Sequence, residues 1–419
     1  MSCALFNPSS PSPIKLSPKT NNKKKKPPTF LCSSSSSLPR LILHDTLDAA
    51  GIDTKHARAA REGFCEQIGR LGEISASSSI AVSRGADLAR TALHVAAEDD
   101  SLVSHSSVPL PVDDFVVRLD SLSMGFCSLY MPPLRSPPEV FIGSLERFLY
   151  VHKGFHRTNS MSDARALYLH SVLTCRTGSP VMLSLIYSEM LKMLRLYSFL
   201  DFDVEIYFPH DVVSLPRGYH KQKSKSTDHG HIMTSKSLLV EILKNLKEAF
   251  WPFQYDPSSS LFLRAAHAAN HIHGPNTVGE KYSESIGSVS GLDIASAKAA
   301  QHRLGRGVWT NVCFGDMRRA LAACERLFIL TTNYKELRDY AVLLYHCGYY
   351  EECLHNLKLY QSSRQERDIR KRTWSSRTVQ LEDDAVDRLM ARVKLILDEE
   401  GWSKCMTRKS YWANNREPW

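Results

Sequence analysis

Three histidines in the second half of the chain have the spacing of a metal site. His267 and His271 lie four positions apart, and His273 follows them in the sequence HAANHIH. Residues four apart on a helix share one face, so two imidazole rings could bind one zinc ion. The glutamate of the H-E-x-x-H metalloprotease pattern is missing, because Ala268 occupies its position. The incomplete motif favours solvated histidines at a helix end, and we predict no metal and no cofactor.

The cysteines follow no pattern of paired metal ligands. The chain has ten of them, and none forms a C-x-x-C pair. Scattered thiols of this kind are typical of a protein in a reducing compartment.

The first 44 residues differ in composition from the rest of the chain. They contain no Asp or Glu, seven of the 53 basic residues, several prolines and the serine run 33–37. This composition is typical of a plastid transit peptide, which cannot bury a core. The alternatives are mitochondrial import, which favours arginine on an amphipathic helix, and a basic tail in which residues 23–26 act as a nuclear signal. We expect the mature protein in the chloroplast stroma.

Removal of this segment would change the charge of the protein. The full chain has a net charge of +9, but only 46 basic residues face 44 acidic ones once the seven N-terminal cations leave. Nucleic-acid binding needs cationic charge on the folded part, so we expect none. No apolar run reaches the roughly 20 residues that span a bilayer. We therefore predict no membrane association and a protein as the partner.

A buried helix is the element best placed to position chemistry. Gly178-Ser179-Pro180 is a helix-start signal, with the serine as N-cap and the proline at the first helical position. The helix should run to about Tyr197, and it is apolar on most sides, which is typical of a central helix. Residues 203–208 (DVEIYF) alternate as a strand should. Further helices are predicted over residues 46–71, 84–98, 113–122, 140–150 and 382–399.

The C-terminal third contains a near-repeat. GDMRRAL (315–321) recurs in kind as GYYEECL (348–354), 33 positions later. In a tetratricopeptide repeat a turn glycine precedes a helix whose small residue packs on its neighbour, and Ala320 and Cys353 are those small residues. The pattern predicts about two tetratricopeptide-like units over residues 300–362. Aromatic side chains on their concave face would anchor a peptide, and the candidates for partner binding are Trp309, Phe314, Tyr349 and Tyr350.

Several segments together resemble a known family. LERFLYVHKGF (145–155), YLHSVLTCRTGSPVMLSLIYSEMLKML (168–194) and IYFP (206–209) are similar to the SirB-type transglutaminase-like family of bacterial and plant proteins. The near-repeat follows these segments in the order typical of that family. The resemblance implies a mostly α (α+β) fold, in which a helical transglutaminase/cysteine-protease-like domain with a small, degenerate sheet precedes tetratricopeptide-like helical repeats.

The predicted division of the chain has six parts. They are a disordered transit peptide (1–44), an N-terminal helical region (45–105), the SirB-type transglutaminase-like domain (106–270) with a basic loop (214–236), a flexible linker (271–299), the helical repeats (300–362) and a C-terminal helix with a tail (363–419).

The resemblance also implies a site at the start of the buried helix. A transglutaminase-type enzyme needs a cysteine there, a histidine that stabilises its thiolate and an aspartate that orients the histidine. Pro180 stands where this cysteine is expected. The family pattern F-P-G-H corresponds to FPHD (208–211), in which Asp211 takes the histidine position unless one deletion restores His210. No residue clearly corresponds to the orienting aspartate.

The thiol nearest to that helix start is Cys175, three residues before Gly178. We interpret it as a buried core thiol and expect no catalytic residues. The leading hypothesis is a non-catalytic plastid protein-interaction or scaffold protein, a pseudoenzyme. The alternative is a cysteine-type hydrolase or acyltransferase that uses Cys175 and His210, with Asp211 or Asp203 as the acid.

Overall fold

Helices joined by short connections account for most of the described chain. The computed structural model describes residues 41–72, 87–104, 108–133, 136–158, 163–207, 214–220, 235–253, 260–271, 315–370 and 377–413. The helices in these ranges are α1 (Ile42–Ala49), α2 (Lys55–Gly72), α3 (Leu88–Ser104), α4 (Val112–Leu129), α5 (Pro138–Glu146), α6 (Leu169–Cys175), α7 (Pro180–Leu196), α8 (Ser235–Ala249), α9 (Leu261–His271), α10 (Met317–Thr331), α11 (Tyr334–His346), α12 (Tyr350–Arg370) and α13 (Arg377–Ala413).

Two small sheets complete the described structure. β1 (His156–Arg157) pairs in parallel with β2 (Thr177–Gly178), and β3 (Val204–Tyr207) pairs antiparallel with β4 (Arg217–His220). A π-helical turn (Arg147–His152) continues α5, and a 3₁₀ turn (Ala164–Leu167) precedes α6. The predicted mostly α fold with small sheets is confirmed, and so is the predicted strand, which forms β3.

Helix α7 lies at the centre of the core, as its sequence predicts. Ser179 caps it, because its hydroxyl accepts a hydrogen bond from the Met182 amide at 3.3 Å, and Pro180 occupies the first turn. Eleven of its residues are buried. The helix packs against α3, α4, α8 and the strands β2 and β3. A helix surrounded in this way can carry few polar groups, which explains its apolar sequence.

The N-terminal region differs from its prediction in one respect. The prediction of a single helix over residues 46–71 is wrong, because two separate helices, α1 and α2, occupy this segment. Gly51 has a φ of 82°, and the Asp48 carboxylate accepts hydrogen bonds from the Thr54 amide at 3.1 Å and the Thr54 hydroxyl at 2.7 Å. These contacts stabilise a turn between the two helices. The expected end of the leader at residue 44 also falls inside α1.

The near-repeat corresponds to two similar turns. Gly315 precedes α10 with a φ of 87°, and Gly348 precedes α12 with a φ of 79°. Ala320 and Cys353 are both fully buried five residues after these glycines. Helices α10, α11 and α12 pack in succession, and α8 also packs on α10. Their description as tetratricopeptide-like units stays a prediction.

The buried residues form a continuous core from α1 to α13. The described residues belong to one compact unit by their contacts. The finer domain boundaries proposed from the sequence stay predictions. Among the helices of the described residues, none is both long and apolar enough to cross a membrane.

We predict that Gly315→Ala destabilises the protein by about 2 kcal/mol or more, because a side chain at this positive φ is strained. The added Cβ would also approach the Pro252 nitrogen to 2.7 Å, in a backbone that cannot rotate away. Gly69→Ala on α2 is the matched control, since its Cβ would meet nothing within 4 Å. That variant should gain about 0.5–1 kcal/mol. Urea denaturation measures both, and equal stabilities would contradict the prediction.

Candidate functional site

The start of α7 is the place where the family resemblance predicts chemistry. Ser179 is buried, and its hydroxyl is already bound to the Met182 amide. Pro180 has neither a nucleophile nor an N–H group. Gly178 packs tightly beneath Val172 and Leu183, so that a Cβ there would lie 2.8 Å from a Val172 methyl group. This helix start is built for packing and capping, and it presents no nucleophile.

Cys175 occupies a different position from the one we expected. It is the last residue of α6 and is exposed to solvent, so its interpretation as a buried core thiol is wrong. The left-handed residue Arg176 (φ 61°) ends the helix immediately after it and turns the chain into β2. A transglutaminase-type nucleophile stands at the N-terminal start of a helix, whereas Cys175 stands at the C-terminal end of α6. Cys175 therefore lacks the helix environment of a transglutaminase-type nucleophile.

A histidine outside the predicted site contacts the strand that follows this thiol. His156 pairs with Thr177 across β1 and β2, and its Nε2 is 2.7 Å from the Thr177 hydroxyl. Its Nδ1 is 3.1 Å from the Gly154 carbonyl oxygen. The Thr177 hydroxyl also donates to the Cys175 carbonyl oxygen at 3.5 Å. Sequence reasoning missed His156, because only the pairing of β1 with β2 brings it towards residues 175–177.

Partly buried polar contacts join the β3–β4 pair to the end of α5 and to the π-helical turn. The Gly218 amide donates to the Glu146 carboxylate at 3.0 Å, and the Tyr150 hydroxyl donates to the Pro216 carbonyl oxygen at 2.6 Å. Burial raises the pKa of Glu146, and burial also raises the pKa of Tyr187 well above its usual value. Gly218 packs directly on the Tyr187 ring, which leaves no room for a side chain. The hairpin therefore has a fixed place beside α7.

The remaining predicted residues are distributed over several regions. His210, Asp211, His273, Trp309 and Phe314 lie outside the described residues. Their predicted roles stay predictions.

Two of the histidines in HAANHIH lie on α9. His267 is exposed on this helix, and His271 is its last residue. Within the part of the chain that the structure describes, no three His, Cys, Asp or Glu side chains come together as metal ligands would.

The two tyrosines predicted to bind a partner contact the protein itself. The half-buried Tyr349 shares a short hydrogen bond between its hydroxyl and that of Thr46 on α1. Tyr350 is buried and packs edge-on against Tyr345, with ring centroids 5.5 Å apart. Both side chains therefore have an internal structural role, whatever they contribute to binding.

The strongest electrostatic feature of the protein is a cluster that the sequence analysis did not predict. Glu98 on α3 is fully buried and accepts hydrogen bonds from Arg61 on α2, at 2.7–2.9 Å, and from Arg326 on α10, at 3.0 Å. Although burial alone would raise the pKa of Glu98, the two guanidinium groups hold it well below its usual range. The one sequence signal was the acidic run after the apolar stretch ALHVAA.

Further hydrogen bonds extend this cluster to both sides. Arg326 also pairs with Asp99, which accepts a hydrogen bond from the Tyr168 hydroxyl at 2.7 Å. On the other side, the Glu325 carboxylate lies 3.0 Å from Arg61 and accepts a hydrogen bond from a tyrosine of α11 at 2.7 Å. One connected network therefore joins α2, α3, α10 and α11 to the turn before α6. Each charged side chain of the network pairs with at least one opposite charge, although Arg61 Nη1 and Arg326 Nη1 have no hydrogen-bond partner among the described residues.

A second charged cluster lies between α3, α4 and α7. The buried Glu189 carboxylate is 3.0 Å from the Lys192 ammonium, which is 3.8 Å from Asp87. Burial raises the pKa of Glu189 to about 7, although Lys192 opposes this change. Burial and the Asp87 carboxylate also raise the pKa of Asp120 on α4. One ammonium thus faces three carboxylates, which is a source of repulsion at neutral pH.

We predict that Glu98→Gln lowers the free energy of unfolding by about 3–5 kcal/mol, because it leaves two buried guanidinium groups without their counter-charge. Asp113→Asn is the matched control, because Asp113 pairs with Arg90 at 2.6 Å but is 82% exposed. It should change the stability very little. Chemical denaturation at pH 7 measures both variants. An equal, small effect of the two substitutions would refute a central role for Glu98.

We predict that Glu189→Gln stabilises the protein above pH 7. The folded-state pKa of Glu189, about 7, lies above its ordinary value of 4.5, so the folded protein holds this proton more tightly than the unfolded chain. The stabilisation that the folded protein gains by binding this proton is complete below pH 4.5, falls as the pH rises to 7 and is lost above pH 7.

We compare the free energies of unfolding of the variant and the native protein at two pH values. The difference in favour of the variant should be larger at pH 8 than at pH 5 by on the order of 1–3 kcal/mol. Thermal unfolding across this pH range checks the effect. A constant difference between the two proteins at every pH would contradict it.

Comparison with known proteins adds a family relationship for part of the chain. The family described as the transglutaminase-like superfamily matches residues 113–201, which run from α4 to the residues just before β3. No curated protein and no solved structure matches the chain. The matched region includes Cys175, the capped start of α7 and the pair Glu189 and Lys192. The chain therefore contains a transglutaminase-like domain that includes the buried helix α7.

Proposed function

We propose that this protein is a non-catalytic plastid protein-interaction or scaffold protein, in which a SirB-type transglutaminase-like domain is joined to tetratricopeptide-like helices. The observation that carries the proposal is the start of α7. Ser179 uses its hydroxyl as the helix cap, and Pro180 follows in the first turn. A domain that keeps the buried helix but replaces the expected nucleophile by capping residues is suited to binding.

The C-terminal helices support a binding role. Helices α10 to α12 pack in succession, and two glycine turns 33 residues apart introduce α10 and α12. Repeated helical pairs of this type present extended surfaces to other proteins. Trp309, Phe314, Tyr349 and Tyr350 remain the proposed partner-binding residues of this region.

An exposed apolar group at the end of α7 also supports a protein partner. Leu196, Tyr197 and Phe199 are each 40–41% exposed, and the two aromatic rings are 6.4 Å apart. Apolar side chains gathered on a surface commonly mark a protein contact, and aromatic residues contribute much of the energy there. The group belongs to the transglutaminase-like match, so binding would not be confined to the repeats.

The proposed location is the chloroplast stroma. The acid-free, serine-rich composition of residues 1–44 supports it, because this is the composition of a plastid import signal. The near balance of charge in the remaining chain fits a protein partner better than a nucleic acid.

The alternative function is that of a cysteine-type hydrolase or acyltransferase. The exposure of Cys175 and the nearby hydrogen bond between His156 and Thr177 favour it. The position of α7 does not favour this function. Cys175 ends α6, and β2 separates it in the chain from the start of α7, where the helix dipole could stabilise a thiolate.

A pair of variants separates these two functions. We predict that Cys175→Ala changes neither the recovery of a partner nor any release of ammonia from a glutamine peptide or of acid from an acyl ester. Tyr197→Ser/Phe199→Ser should reduce partner recovery at least about tenfold, because it removes apolar contact area. The measurement is cross-linking of the tagged full chain in intact chloroplasts, followed by purification and peptide assays.

Each outcome has a clear consequence. Activity above background in the native protein that disappears in Cys175→Ala would establish the enzyme instead. Equal partner recovery from the native protein and the surface variant would show that the apolar group does not bind the partner. Absence of the tagged chain from the chloroplast fraction would contradict the proposed location.

A further inference from the structure

The first helix of the described chain is packed as an internal element. Leu43, His44 and Leu47 on α1 are at most 1% exposed, and Ile42 is 9% exposed. Four of the eight residues of this helix are buried, so one face of α1 is covered by the rest of the protein. An isolated helix of this length has little stability in water, so α1 depends on these contacts for its structure.

The polar groups of α1 contact distant parts of the protein. His44 Nε2 lies 3.3 Å from a Glu98 carboxylate oxygen, and both side chains are fully buried. The Thr46 hydroxyl is hydrogen-bonded to the Tyr349 hydroxyl just before α12. Arg58 on α2 joins the two carboxylates of α1 that face solvent, at 2.6 and 2.8 Å. Helix α1 therefore connects the N-terminal helices, the buried charge cluster and the C-terminal helices.

These contacts place α1 beside the buried Glu98 carboxylate. Glu98 is stable as a buried anion because every side of it is occupied by protein groups. His44 covers one side, and without it water would reach the carboxylate and weaken its pairing with the two arginines. The loss of Leu43 and Leu47 would leave an apolar groove open beside it.

We infer that α1 is a structural strap that closes the buried Glu98 cluster, and that proteolytic removal of an N-terminal leader must therefore fall before Leu41. A leader that ended at residue 44, as the composition alone suggests, would remove Ile42, Leu43 and His44. The remainder of α1 would be too short to hold a helix. This inference concerns the packing of α1 alone and does not depend on the proposed binding function.

N-terminal truncation tests the inference directly. Chains that start at residue 41 and at residue 45 are compared with the full chain by thermal unfolding. The chain from residue 41 should unfold at the temperature of the full chain, whereas the chain from residue 45 should unfold at least about 5 °C lower. Equal unfolding temperatures for the two truncated chains would overturn the inference.

Point variants of the full chain keep the test decisive if the shorter chain does not fold. Leu43→Ala should lower the unfolding temperature and speed amide hydrogen exchange around Glu98 at least about tenfold. Ala49→Gln is the matched control, because Ala49 is exposed on the same helix, and it should leave both measurements unchanged. Equal exchange near Glu98 in the two variants would contradict a closing role for α1.

The N-terminus of the protein purified from tissue gives an independent result. Mass spectrometry should find a first residue at or before Leu41. A mature chain that begins at Asp45 or later would show that α1 is removed, and would overturn the inference even if the proposed scaffold function were correct.

Discussion

The pairing of a buried carboxylate with two arginines is the constraint on which this structure depends. Glu98 has no contact with water, so its charge must be matched by Arg61 and Arg326 within the core. These partners lie 37 and 228 residues away along the chain. The requirement joins helices from both ends of the protein around α3. If the N-terminal helices and the C-terminal helices formed separate bodies, each body would contain buried charges without their partners.

The transglutaminase-like domain is attached to the same network. The Tyr168 hydroxyl, just before α6, donates to Asp99, which pairs with Arg326 on α10. Arg319 of α10 also lies over the Phe250 ring at 4.7 Å, and the Asp316 amide donates to the Phe250 carbonyl oxygen at 2.8 Å. The matched region therefore shares a hydrogen-bond network with α10, and Phe250, which follows α8 outside the match, adds ring and backbone contacts. A partner bound to one region would therefore contact a part of the protein that shares its core with the other.

The start of α7 has capping residues at the place where the family resemblance predicts a nucleophile. Helix α7 remains the apolar centre, and Ser179 and Pro180 give it an efficient start. The groups that could form a catalytic set are instead divided. Cys175 ends a neighbouring helix at the surface, and His156 is bound to a threonine on β2. This arrangement is the basis of the proposed scaffold role.

The amino-acid sequence determined the local features of this protein. The apolar pattern and the capping residues of α7 fixed that helix almost to the residue, and alternation identified β3, because these signals act between close neighbours. It did not reveal the break at Gly51, where a side-chain cap outweighs helical periodicity, or the exposure of Cys175. The tertiary structure alone decided the Glu98 cluster and the place of α1, since pairing between charges far apart in the chain leaves no periodic signal and depends on which helices meet.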